Sequence, residues 1–127
     1  MSNLLAIPLV SIVVETGNNE DWVDSLLFLV DSTDPTQPQL DLRGIRFEME
    51  IRRLPDDHEV VVHAMTDDDT LMIGDPPNYG YLIISVPIEQ MQPLQPGAYV
   101  GDIRGTDADN TRVVVEVALT VFQGVTR

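Results

Sequence analysis

The chain has 127 residues, 43% of them apolar, which suits one domain with a single packed core and would cramp two. Seven cations against 21 acids leave a formal net charge of −14, a sign that repels phosphate backbones and argues against autonomous nucleic-acid binding. With no cysteine, disulfide frameworks, thiolate metal sites and cysteine nucleophiles are excluded together.

The most apolar stretch runs from Leu4 to Val14 and is broken by Pro8 and Ser11. It is far short of the roughly 20 residues that a helix needs to cross a bilayer. The first positive side chain is Arg43, so no basic segment precedes that stretch as an export signal would require, and the expectation is a chain made in the cytoplasm with no membrane partner. Nine prolines and eight glycines leave few windows long enough for three helical turns, and the apolar runs between them are rich in Val, Ile and Phe. The chain therefore reads as all-β.

In chain order the first strands fall at Ile7 to Glu15 and Trp22 to Asp31, joined by Gly17-Asn18-Asn19-Glu20. The segment Asp34-Pro35-Thr36-Gln37-Pro38 interrupts the pattern before the clearest strand, Ile45 to Arg53. There Ile45, Phe47, Met49 and Ile51 alternate with Arg46, Glu48, Glu50 and Arg52, a period of two with one apolar and one charged face. Further strands follow at Glu59 to Met65, Leu71 to Ile73, Tyr81 to Val86 and Tyr99 to Asp107. Pro87 to Leu94 has room for one helical turn, with Pro87 at the start and Pro93 ending it. After the turn Asp107-Ala108-Asp109-Asn110, a last strand carries Val113, Val115, Val117, Leu119 and Val121 on one face and Arg112, Val114, Glu116, Ala118, Thr120 and Phe122 on the other. Eight strands in one domain spanning residues 1–127 predict a β-sandwich whose core holds Ile45, Phe47, Met49, Ile51, Val113, Val115, Val117 and Leu119.

Chemistry-bearing residues are few. His58 and His63 stand five apart, so on one strand they point to opposite faces and cannot share a metal unless the strand begins after His58. Asp67-Asp68-Asp69 and Asp107-x-Asp109-Asn110 could gather oxygen ligands for calcium, but the second fails as an EF-hand loop because Arg112 stands at the glycine position and Ala118 at the bidentate acid position. Both clusters read as Asx-rich turns. Ser11, Ser25, Ser32 and Ser85 have no nearby histidine in sequence, and no nucleophile-elbow, zincin, P-loop or dinucleotide fingerprint occurs. The expectation is no catalytic residue, no metal and no cofactor. Trp22, Tyr79 and Tyr81 could form a stacking platform for a sugar or base, whereas Tyr99, after Pro96-Gly97-Ala98, reads as a packed tyrosine with its hydroxyl bonded to backbone.

Four pieces follow one another in a recognisable order. They are Gly17-Asn18-Asn19-Glu20-Asp21-Trp22; Leu40-Asp41-Leu42-Arg43-Gly44-Ile45-Arg46-Phe47 running into Glu48-Met49-Glu50-Ile51-Arg52; Leu94-Gln95-Pro96-Gly97-Ala98-Tyr99-Val100-Gly101-Asp102-Ile103; and the ending Gly124-Val125-Thr126-Arg127. In this order the chain resembles small tail-associated proteins of bacteriophages and prophages, and over residues 7–127 it is similar to the immunoglobulin-like N-terminal domain of phage upper baseplate proteins. The resemblance implies an immunoglobulin-like antiparallel β-sandwich of seven or eight strands. It also implies a non-enzymatic virion component of tail, baseplate or head whose partners are other virion proteins and copies of itself. Because the chain stops at Arg127 with no stalk or receptor-binding region following, a stand-alone structural module is expected. The competing expectation is a small carbohydrate- or calcium-binding sandwich built on the aromatic residues or the acidic turns. For the structural reading, Val114, Ala118 and Phe122 on the second face of the last strand form the candidate protein-protein interface, since a two-layer sandwich covers only one face of each strand.

Overall fold

The computed structural model describes residues 2–29 and 39–124. Among these residues eight strands form: β1 (Val10–Gly17), β2 (Trp22–Leu27), β3 (Arg46–Arg52), β4 (Val62–Met65), β5 (Leu71–Ile73), β6 (Tyr81–Val86), β7 (Gly97–Thr106) and β8 (Thr111–Phe122). One short helix, α1 (Ile88–Met91), follows Pro87 as the proline spacing predicts. The strands make a five-stranded sheet in the order β1-β8-β7-β3-β4 and a three-stranded sheet in the order β2-β6-β5.

One buried apolar cluster joins the two sheets, with Phe47, Met49, Ile51, Ile103, Val115, Val117 and Leu119 from the larger and Trp22, Leu71, Leu82, Ile84 and Val86 from the smaller. This is the sandwich that the period-two faces predict. Taking the strands as A′, B, C, C′, D, E, F and G, the larger sheet has the order A′GFCC′ and the smaller BED, an immunoglobulin-like strand order. Tyr99 adds the corner typical of that fold: near the start of β7 its hydroxyl donates to the Gln95 carbonyl at 2.6 Å.

The sheets are not wholly antiparallel. β1 runs parallel to β8, from Val10 opposite Val115 to Gly17 opposite Phe122, while every other named pair is antiparallel. The turn at Gly17-Asn18-Asn19-Glu20 therefore carries the chain from one sheet to the other rather than closing a hairpin, whereas Asp107 to Asn110 does close one, between β7 and β8. The segment 34–38 lies outside the described residues.

Several strands are shorter than their apolar runs. β1 begins at Val10 because Leu4–Ala6 winds into a 3-10 turn that buries Leu4, and Ile7 is buried after it. β4 begins at Val62 because the preceding Pro55 to Glu59 is a polar loop. Before β3, Gly44 has φ of 85° and the Ile45 N–H donates to the Leu42 carbonyl at 3.3 Å, so the glycine fills the left-handed position of a tight turn.

The strongest departure from simple alternation lies in β8. Ile103 pairs with Val115 but the next residue, Arg104, pairs with Val113, leaving Val114 with no residue opposite. An extra residue in one strand reverses the facing of everything before it. Val114 is thus fully buried at 0% exposure, and Val113, expected in the core, is only half-buried on the side of Arg104. Val114 consequently leaves the candidate interface, of which Ala118 and Phe122 remain exposed.

Candidate interaction surface

The residues with chemical potential are dispersed. His58 lies exposed in the loop beside Arg53, Asp57 and Glu59, while His63 is on β4, so the two do not form a common site. Ser11 donates to Glu116 Oε2 at 3.4 Å on the larger sheet, whereas Ser25 and Ser85 sit on β2 and β6 of the smaller one. Ser32 lies outside the described residues.

A network that sequence reasoning did not assemble lies on the outer face of β3, β4 and β7. Glu48 and Glu50 are two apart on β3 and so share a face, and register places His63 of β4 directly opposite Glu50. His63 Nε2 lies 2.7 Å from Glu48 Oε2. Arg104 Nη2 of β7 donates to Glu50 Oε1 at 2.8 Å and to Glu48 Oε1 at 3.3 Å, and Arg52 donates to Glu50 Oε1 at 3.3 Å. The ligand atoms of Glu48, Glu50 and His63 lie within 4.8 Å of one another, so these are the described residues that could share a metal ion. Arg104 already supplies both carboxylates with a positive charge, which gives the cluster a structural role of its own. The alternation of β3 was the only signal in the sequence; joining it to His63 and Arg104 needed the pairing register.

β4 is an edge strand, and its backbone is covered by a side chain. The His63 N–H donates to Gln90 Oε1 at 2.9 Å and Gln90 Nε2 donates to the His63 carbonyl at 2.9 Å, so α1 mimics a neighbouring strand.

The acidic clusters satisfy themselves. Asp67 accepts from Arg46 Nε at 2.8 Å. Asp68 accepts from both the backbone and the hydroxyl of Thr70; the hydroxyl bond, then the backbone bond, holds its carboxyl below the usual carboxylate range. Asp107 Oδ1 accepts the N–H groups of Asp109 at 2.9 Å and Asn110 at 2.8 Å, and Ser2 donates to Oδ2 at 2.5 Å. The Ser2 hydroxyl first, and then these turn amides, hold Asp107 below its ordinary value. Both clusters are Asx turns in which Asp67, Asp68 and Asp107 accept hydrogen bonds.

The expected aromatic platform is not assembled. Trp22 is 2% exposed in the core, its indole N–H donating to Asp24 Oδ2 at 2.9 Å. Tyr79 is half-buried with the Arg43 guanidinium 3.9 Å above its ring, and Tyr81 is half-buried on β6 opposite Leu27. Trp22 is the one buried residue of β2, whose other residues are exposed or half-buried.

The outer face of the larger sheet carries the remaining candidates. Register aligns Val13 of β1, Ala118 of β8 and Val100 of β7 in one row across three strands. Val13 is 81% exposed, and Phe122, further along the same face of β8, is 50% exposed. Glu116 lies two residues from Ala118 on that face, opposite Asp102, and Glu15 lies opposite Thr120. The patch is thus a short apolar strip with acids on both sides. No protein-family model matches the chain, and no curated protein matches it, so the resemblance to phage proteins rests on motif order. No helix among the described residues is long and apolar enough to cross a membrane.

Proposed function

We propose that the protein is a non-enzymatic structural component of a tailed-phage or phage-like particle, joined to its neighbours through the outer face of the five-stranded sheet. The observation that carries this reading is the aligned row of Val13, Ala118 and the half-buried Val100, with Phe122 beyond it: among the described residues, Val13, Ala118 and Phe122 are apolar side chains left exposed on neighbouring strands. Isolated exposed apolar residues are ordinary, but an aligned row rimmed by charge has the anatomy of an interface centre. The order of the four sequence pieces and the immunoglobulin-like topology support placement in a virion. The acids Glu15, Glu116 and Asp102 around the strip fit a virion protein that brings Arg or Lys to the rim. The calcium alternative loses ground because Asp68 Oδ1 and Asp107 Oδ1 each already accept two hydrogen bonds within their own turns, and Asp107 Oδ2 accepts one from Ser2.

Density-gradient fractionation of lysates from cells that carry the gene with its genomic neighbours tests the reading. The protein is expected to sediment with large particles, and Val13→Asp and Phe122→Asp are expected to move it to the slow fractions. A wild-type protein that never leaves the slow fractions refutes the particle assignment, and a Val13→Asp/Phe122→Asp protein that still sediments with particles refutes this face.

A further inference from the structure

A different region of the molecule has a composition that neither the sheet nor the acidic surface shares. At one end of the sandwich, Asn18, Asn19, Ile88, Gln92, Leu94, Gln95, Pro96 and Gln123 line a cleft of about 520 Å³. Its volume lies within the ordinary range of small-molecule sites. Five of these eight side chains are amides and none is charged, although the chain carries a net charge of −14.

The cleft has a fixed wall and an uncommitted one. Asn18 is buried; its Nδ2 donates to the Leu94 carbonyl at 3.1 Å and its Oδ1 accepts the Gly124 N–H at 3.1 Å, tying the β1–β2 turn to the segment before β7 and to the end of β8. Asp21 Oδ1 accepts the Ile88 N–H at 2.7 Å and anchors the start of α1 beside it. On the other side, the amides of Gln92 and Gln95 are exposed and have no hydrogen-bond partner among the described residues. Pro96 and Ile88 add apolar surface between the amides. Phe122 lies near the cleft without lining it: a side-chain carbon placed on Gly17 would meet both Asn19 Oδ1 at 2.9 Å and the Phe122 ring at 3.1 Å, so amide and ring both border the space over Gly17.

We propose that this cleft binds a neutral carbohydrate. The exposed amides of Gln92 and Gln95 each offer donors and an acceptor on one plane, which matches the hydroxyls of a sugar, since each hydroxyl both donates and accepts. The apolar surfaces of Ile88, Pro96 and the neighbouring Phe122 suit the C–H faces of a pyranose ring. The lining holds no charged side chain to select an ionic ligand, and the net charge repels anions. A peptide adding as a strand needs a free sheet edge, and the cleft is lined by turn, helix and loop residues instead. The proposal shares only Phe122 with the assembly reading, because its polar residues lie in the β1–β2 turn, after α1 and after β8 rather than on the apolar row.

Saturation-transfer NMR and calorimetry with methyl glycosides and disaccharides of glucose, galactose, mannose and N-acetylglucosamine test it on the full chain. At least one neutral sugar is expected to bind saturably with Kd of about 1–10 mM, as an open site allows. Gln92→Ala/Gln95→Ala should weaken that binding at least about tenfold, the effect of losing roughly 1.4 kcal/mol, with an unchanged circular dichroism spectrum. Glu116→Gln, on the sheet face, should leave it unchanged. The proposal is overturned if no sugar binds up to about 50 mM, well beyond that range. It is equally overturned if the double variant binds as the wild type does, or if short peptides displace the sugar and bind more tightly.

Discussion

Val114 and Val113 are neighbours of one residue type, yet the bulge gives them opposite surroundings, which makes them a sharp test of the β8 register. Val114 is at 0% exposure within the core, and Val113 is half-buried beside Arg104 on the outer face. Val114→Ala removes two carbon groups from a packed site. At about 0.8 kcal/mol per buried group, plus a cavity contribution, the cost is about 2–3 kcal/mol. The same change at Val113 removes surface that water already partly reaches, and the expected cost is below about 1 kcal/mol. For a domain of this size, 1 kcal/mol corresponds to about 3–5 °C in Tm, so Val114→Ala should melt about 6–15 °C below the wild type. Urea unfolding followed by Trp22 fluorescence provides the free energies, and an unchanged m-value confirms that the same surface is exposed. If Val113→Ala proves the more damaging of the two, β8 alternates without interruption and the bulge is wrong.

Phe47→Ala should cost about 3–5 kcal/mol in the same urea experiment, the range for emptying a buried aromatic site; a loss below about 1 kcal/mol would mean that the faces of β3 are reversed. Tyr99→Phe should lose about 1 kcal/mol, the net worth of its bond to Gln95, and an unaffected Tm would show that the corner is not formed in solution. The lowered carboxyls of Asp107 and Asp68 contribute stability that is present above the ordinary value of 3.8 and lost as pH falls below it, so unfolding free energy should decline in that window. Asp107→Asn should flatten the decline, and a variant with the wild-type acid limb would contradict the Ser2 and turn-amide contacts. Chelator should leave the melting temperature unchanged; a fall of several degrees would show that Glu48, Glu50 and His63 hold a metal in place of Arg104.

Where alternation was regular, the sequence was sufficient. Leu71 to Ile73 and Tyr81 to Val86 form as bounded, and the apolar side of β3 is buried through Phe47, Met49 and Ile51. What it could not reveal depends on pairing between distant strands. The bulge at Val114 leaves no local mark because Val113, Val114 and Val115 are three identical residues, and only the partner β7 decides which of them is extra. The parallel placement of β1 on β8 has the same character. So does the Glu48, Glu50, His63 and Arg104 network, which draws on three strands. The amide cleft draws on segments from Asn18 to Gln123, and its signal in the sequence was only a scatter of Asn and Gln around α1 and the β1–β2 turn.

The distribution of positive charge narrows what kind of partner the sheet face can accept. Every arginine among the described residues is engaged inside the molecule. Arg43 pairs with Asp41, Arg46 with Asp67, Arg52 with Glu50, and Arg104 with Glu48 and Glu50. Arg53 lies 4.9 Å from the centre of the Tyr99 ring, and Arg112 donates to the Leu5 carbonyl at 3.4 Å. With no lysine in the chain, the charge left over for a partner is negative almost throughout. Two copies meeting through the Val13, Ala118 and Val100 row would bring Glu15, Glu116 and Asp102 toward like charges, which opposes association. A basic-rimmed neighbour meets no such cost. Of the two kinds of partner that the virion reading offers, another copy and a different subunit, the electrostatics of this face favour the different subunit, while the same charge keeps free copies apart until they meet it.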